Sequence, residues 1–175
     1  MLERIRRTRD GSFRVNLSSE ERQVLAAVPP MLRSLVESSG PGDPAYERLF
    51  PPAYPDDADK DAAFAEMVHD DLAQGRLASA EVLARTIDAE RLNADEVAAW
   101  LAALNDARLV LGARLGVTEE TDPSTVPPDH RQDYELFRFL SYLVQHLVIA
   151  AGGPAERELT WDVVRRMARE KRGEA

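Results

Sequence analysis

Apolar residues recur along this chain at helical spacing over most of its length, and only the first seventeen residues alternate instead. Ile5, Phe13, Val15 and Leu17 fall on one side of an alternating pattern, with Arg4, Arg6, Thr8 and Arg14 on the other. Arg9-Asp10-Gly11 between the two runs suits a three-residue turn with Gly11 in the left-handed region. The pattern predicts a β-hairpin over residues 1–17, pairing Ile5 with Val15 and Arg7 with Phe13. Two short strands are only marginally stable alone, so the apolar face is expected to lie on a helical body.

From residue 18 the periodicity changes to that of helices. Ser18-Ser19-Glu20-Glu21 has the spacing of a capping box, and Val24, Val28, Leu32 and Leu35 follow it as a stripe. Pro29-Pro30 interrupts this stripe, which predicts a kink or two abutting helices. Asp43-Pro44 opens a short helix to about Leu49. A long helix is expected from about Asp57 to Ile87, burying Phe64, Met67, Val68, Leu72, Leu77, Ala80, Leu83 and Ile87, with Gly75 a weak point. Asn93 and Glu96 cap the next helix and Gly116 ends it; its stripe reads Val97, Leu101, Leu104, Arg108, Leu111, Leu115. The helix from about Asp129 to Ala151 carries Leu136, Phe137, Phe139, Leu140, Leu143, Val144, Leu147, Val148 and Ile149, with hardly a polar side. Such a helix belongs at the centre of a bundle or under a partner chain. The fold class is therefore mainly α: a bundle of about six helices with a small N-terminal β-hairpin. Residues 1–17 form the hairpin, 18–151 the helical domain and 152–175 a C-terminal helical extension bearing Trp161.

Composition narrows the chemistry. No cysteine occurs, which removes disulfides, thiolate zinc sites, iron–sulfur clusters and thiol catalysis from this chain. The start lacks a signal-peptide core, and the least polar run, 139–155, is short for a membrane span, so a cytoplasmic protein with no membrane partner is expected. The net charge of −9 is uneven. Residues 1–16 carry +3 and residues 154–175 carry +1, leaving −13 on residues 17–153. An acidic middle disfavours nucleic acid as a partner of the body, with small arginine patches left at the ends.

Motifs for catalysis are missing. His69, His130 and His146 have no metal-site spacing, and there is no phosphate loop or nucleophile elbow. His69-Asp70-Asp71 is a weak start for an oxygen-rich site and reads better as a solvated or salt-bridged face. No cofactor, metal ligand or catalytic residue is assigned. Arg108 alone breaks the pattern, because it falls in an apolar stripe where an unpaired charge is costly. It is expected to be buried against Asp70 or Asp71, with Asn105 in the same polar network, and its replacement by Ala to cost about 3 kcal/mol. A ligand pocket around Arg108 is the competing reading.

The run Trp100-Leu101-Ala102-Ala103-Leu104-Asn105-Asp106-Ala107-Arg108-Leu109-Val110-Leu111-Gly112 resembles the actinobacterial domain of unknown function two-thousand-seventeen family. The hairpin with Leu17-Ser18-Ser19-Glu20-Glu21, the segment Leu49-Phe50-Pro51-Pro52-Ala53-Tyr54, the segment Val68-His69-Asp70-Asp71-Leu72 and the apolar helix Leu136–Leu147 agree in order. The resemblance spans about residues 2–150. It implies a helical cytoplasmic protein without an assigned reaction, encoded near the adaptor of the Clp protease, and hence a proteostasis or stress-regulatory role. Some relatives carry a cysteine pair suited to redox control; this chain has none.

Three functions are compatible with these readings. The first is a non-enzymatic regulatory or adaptor-like protein with an unidentified protein partner. The second is a small-molecule or metal-responsive binding domain around Arg108. The third, weaker, is a DNA-binding regulator using the N-terminal arginines. Self-association as a homodimer is expected through Tyr134, Phe139, Tyr142 and His146, which bring rings with polar tips. The segment bearing Trp161 could cover the same face and leave a monomer.

Overall fold

A computed structural model of the chain describes residues 4–118 and 120–152. Among them run β1 (Ile5–Arg7), β2 (Phe13–Val15), α1 (Ser19–Leu25), α2 (Val28–Ser38), α3 (Pro44–Leu49), α4 (Ala58–Thr86), β3 (Arg91–Leu92), α5 (Ala94–Leu115) and α6 (Arg131–Ala151). Two short 3₁₀ turns precede α6. The protein is mainly helical, with a small antiparallel sheet at its N-terminus.

The hairpin has the expected register, Ile5 opposite Val15 and Arg7 opposite Phe13. Gly11 takes φ +84°, and the Ser12 backbone N–H and hydroxyl both donate to Asp10 Oδ1, at 3.2 and 2.8 Å. Neighbouring residues alone thus supply the chemistry that closes the turn. The sequence pattern missed a third strand: β3 pairs Leu92 with Phe13 and Arg91 with Arg14. Two residues carry no periodicity, so this strand exists only because the chain between α4 and α5 passes beside β2. Ile5, Phe13, Val15, Leu17 and Leu92 are buried in one core with the helices, and β1 lies against α6.

Caps set most helix ends. Ser18 and Glu21 form a reciprocal capping box on α1, and Asn93 and Glu96 form another on α5. Asp43 caps α3 and Asp57 caps α4. Gly116 ends α5 in the left-handed conformation. The prolines separate α1 from α2 rather than kinking one helix: Val28, Pro29 and Pro30 occupy the first turn, where missing N–H groups are tolerated. Helix α4 runs through Gly75 without a break.

The central helix is α5, not α6. It touches α2, α3, α4 and α6. Trp100, Ala103, Leu104, Ala107 and Val110 on it are fully buried, and the small alanines let neighbours approach from several sides. Gly112 continues this: a Cβ there would lie 3.3 Å from the Phe137 ring on α6. Helix α6 is amphipathic instead. It buries Tyr134, Leu140, Leu143, Leu147 and Ala150, and turns Glu135, Arg138, Gln145 and Val148 outward. The buried face of α5 is also rotated from the expected stripe by about one residue, toward Trp100 and Ala103, which moves Arg108 to its margin.

Helix α4 departs from expectation in its first half. Ala73, Ala80, Leu83 and Thr86 are buried, but Phe64, Met67 and Leu72 are exposed. Val24 on α1 is exposed as well, with Leu25 taking the buried position. The reason on α4 is length. Its 29 residues span about 44 Å, against roughly 33 Å for the 22-residue α5 and roughly 17 Å for the 11-residue α2 that pack beside it.

Inside the core, Trp100 Nε1–H donates to Thr86 Oγ1 at 2.7 Å, and that hydroxyl donates to the Val82 carbonyl at 2.6 Å. Thr86→Val keeps the shape and removes the acceptor. It should cost about 1–3 kcal/mol, because the buried indole N–H is left unpaired. Urea denaturation followed by circular dichroism measures this; an unchanged midpoint would show that the bond contributes nothing.

Candidate functional site

The charged groups drawn into the interior lie where α3, α4 and α5 meet. Asp106 on α5 is buried, and Arg76 on α4 forms a direct ion pair with it. A second guanidinium nitrogen of Arg76 donates to the Leu49 carbonyl at 2.5 Å, at the end of α3. The same guanidinium lies over the Phe50 ring, 5.2 Å from its centroid. One arginine therefore joins three helices. Burial pushes the Asp106 carboxyl above its ordinary value near 3.8, against the opposing pull of Arg76.

Phe50 continues into an aromatic group. Its ring centroid is 4.8 Å from those of both Tyr46 and His69. The Tyr46 hydroxyl lies 3.2 Å from His69 Nε2. His69 is half-buried there, not part of a solvated or salt-bridged face. Asp70 and Asp71 point to the other side and are exposed.

The network expected around Arg108 is therefore only partly assembled. Arg108 is half-buried, and Nη2 donates to Asn105 Oδ1 at 2.8 Å. Among the described residues its partner is Asn105, not Asp70 or Asp71, and its Nε is buried without a hydrogen bond. The buried carboxylate that sequence reasoning sought is Asp106, and its partner is Arg76. The signal lay in Trp100, Ala103 and Ala107: centring the buried face on them brings Asp106 inward and moves Arg108 out.

Arg108 also lines a groove of about 690 Å³ with Arg48, Leu109, Gly112, Val117 and Phe137 among its walls. Two arginines beside apolar wall atoms suit an organic anion. Among the described residues, no three His, Asp or Glu side chains converge as metal ligands.

The residues expected at a dimer interface are divided. Tyr134 is buried and stacks on Phe137, ring centroids 6.1 Å apart, so it cannot face a partner. Phe139, Tyr142 and His146 are half-buried on one side of α6, with the Tyr142 and His146 rings 4.3 Å apart. Trp161 and the C-terminal extension lie outside the described residues. Among the described residues, no helix is long and apolar enough to cross a membrane.

The largest exposed apolar feature is on the first half of α4. Phe64, Met67 and Leu72 are 40%, 79% and 50% exposed, and the helical spacing places them on one side with half-buried Val68. This stretch is pinned at its start. Asp61 Oδ1 accepts the N–H groups of Ala53 and Tyr54 at 2.7 and 3.0 Å, and the Tyr54 ring meets Phe64 edge-on at 5.8 Å. The ridge is held by the loop that precedes α4.

The sequence signature of a family described as a domain of unknown function, DUF2017, matches residues 2–151. The chain belongs to this family. Among curated proteins it is similar to the oxidative stress regulator AosR of Mycobacterium tuberculosis and of Mycobacterium bovis, 29% identical over 132 residues. That alignment covers 65% of this chain and 60% of each relative. A putative oxidative stress regulator AosR of Mycobacterium leprae is 30% identical over 129 residues, covering 63% of this chain and 59% of the relative. The matched region thus spans less than two thirds of the length of these relatives. No solved structure matches.

Asp106→Ala should destabilise the fold by about 3–5 kcal/mol, because Arg76 is left buried without its counter-charge. Replacing both partners, Arg76→Met with Asp106→Leu, should recover only part of that loss, because the Leu49 carbonyl and the Phe50 ring also lose the guanidinium. The pH dependence has a definite sign. A carboxyl raised in the folded state binds protons more tightly there than in the unfolded chain, so its contribution falls as pH rises from about 3.8 through the raised value. Relative to Asp106→Asn, wild-type stability should decline over that interval and then level off. Denaturant titrations across pH measure the difference; a rising difference contradicts the assignment.

Proposed function

We propose that this chain is a non-enzymatic regulatory protein of the oxidative-stress response, acting in the cytoplasm by binding another protein. The observation that carries this reading is the α4 ridge. Phe64, Met67 and Leu72 form an apolar strip on the first half of α4 that stays 40–79% exposed. A folded domain exposes such a strip at a cost in solubility, and apolar patches of this kind mark interaction sites. With half-buried Val68 between them, Phe64 and Met67 three apart and Val68 and Leu72 four apart match the way an amphipathic helix enters a partner's groove. The names of the mycobacterial relatives support a stress-regulatory role. This chain contains no cysteine, so a thiol pair within it is not the sensor.

A second reading keeps the Arg48–Arg108 groove as a site for a small organic anion, favoured by the buried, unbonded Nε of Arg108. A melting-temperature rise with citrate or a nucleotide, lost in Arg108→Gln, would support it through mass action on the folded state.

The ridge can be tested without disturbing the fold. Met67→Asp lies on the exposed side and should change stability by no more than about 0.5 kcal/mol, whereas Phe64→Asp also removes the ring contact with Tyr54 and should cost more. Both should fail to restore peroxide survival to a strain lacking the gene, where wild type and Glu66→Gln succeed. Full complementation by folded Met67→Asp removes the ridge from the mechanism.

A further inference from the structure

The register of the small sheet sets Arg6 opposite Arg14, and Arg14 opposite Arg91. Ile5, Phe13, Val15 and Leu92 take the buried positions, so alternation puts the three arginines together on the outer face. All three are exposed. Neighbouring strands lie about 4.8 Å apart, so the guanidinium stems stand in a row roughly 10 Å wide. Like charges directly opposite each other weaken a sheet. These strands are three, three and two residues long, with little ladder to offset the repulsion.

Local carboxylates neutralise the row only in part, and Arg6 and Arg14 form no ion pair among the described residues. Asp10 reaches Arg91 at 3.4 Å across an exposed surface, and Glu90 shares a recess of about 430 Å³ with Arg6, Thr8, Arg14 and Arg91. Glu21 is taken by Arg4, at 2.8 Å, outside the row. Exposed Arg9 adds a further positive charge beside the turn. The row is a concentrated positive patch on a protein of net charge −9.

We propose that this outer sheet face docks a short acidic peptide segment of a partner protein, its carboxylates pairing with Arg6, Arg14 and Arg91. Arginine forks take carboxylates in two-point hydrogen bonds, so each one adds geometry as well as charge. In an extended peptide, side chains on one side recur about every 6.6 Å, and two such residues fit within the row. Nucleic acid fits less well. Its charge continues past a patch this small onto a body carrying −13 over residues 17–153, which repels it. The site is on a different element from the α4 ridge, and the inference stands whether or not that ridge binds a partner.

Fluorescence anisotropy with labelled hexaglutamate, hexaglutamine and a short duplex DNA tests it on the full chain. Hexaglutamate should bind, weaken steeply with added salt, and lose affinity by about tenfold or more in the Arg6→Gln, Arg14→Thr, Arg91→Gln triple variant, as expected when paired charges are removed. Hexaglutamine and the duplex should not bind. Absent hexaglutamate binding, equal binding to the triple variant, or duplex binding lost in that variant would each overturn the proposal. A fold readout accompanies it. Arg14→Thr removes the middle charge and adds a strand-favouring side chain, so the melting temperature at low salt should rise. A fall would show that the row serves the sheet itself and would equally overturn the proposal.

Discussion

The fold depends on one constraint: α5 must be narrow enough to be surrounded. Ala103 and Ala107 present almost no side chain, and Gly112 presents none, so α2, α3, α4 and α6 can all reach the same helix. Trp100 fills the wider end of that space and is anchored by Thr86. Bulk at Ala103 or Ala107 would force neighbouring helices apart, since close-packed interiors absorb added volume only through strain.

Around that helix, arginines act as long tethers between elements distant in sequence. Arg22 on α1 donates to the carbonyls of Ile87 and Ala89, the second at 3.1 Å, and thereby fixes the turn that delivers β3 to the sheet. Arg76 does the same for the end of α3 while neutralising Asp106. Both use the planar guanidinium to satisfy loose carbonyls where helices end, a task a point charge on lysine performs less well.

The proposed function rests on what the bundle leaves uncovered. Helix α4 is longer than the layer that packs on it, so one half builds the core and the other presents Phe64, Met67 and Leu72. The same stripe of apolar residues thus serves two purposes along its length. Asp106 and Arg76 in the interior are engaged in joining helices, and the outward-facing features are apolar or charged surfaces. That division suits a protein that works by recognition.

Much of this was legible in the residues. Turn and cap chemistry is local, so the hairpin register, the two capping boxes, the Asp43 cap and the Gly116 stop follow from a few neighbouring side chains. Fold class followed from periodicity. Tertiary structure decided what depends on distance. Periodicity marks an apolar face but not what covers it, so it reveals neither the exposure of the first half of α4 nor that α5, and not α6, is the central helix. A stripe read one residue out of phase pointed to Arg108 in place of Asp106, because 3.6 residues per turn leaves neighbouring phases nearly equal. The third strand and the Arg76 tether needed chain segments brought together across the fold. The sequence by itself determined the hairpin and the helices; packing decided the third strand and which faces the helices bury, since burial is a property of neighbours and not of the element.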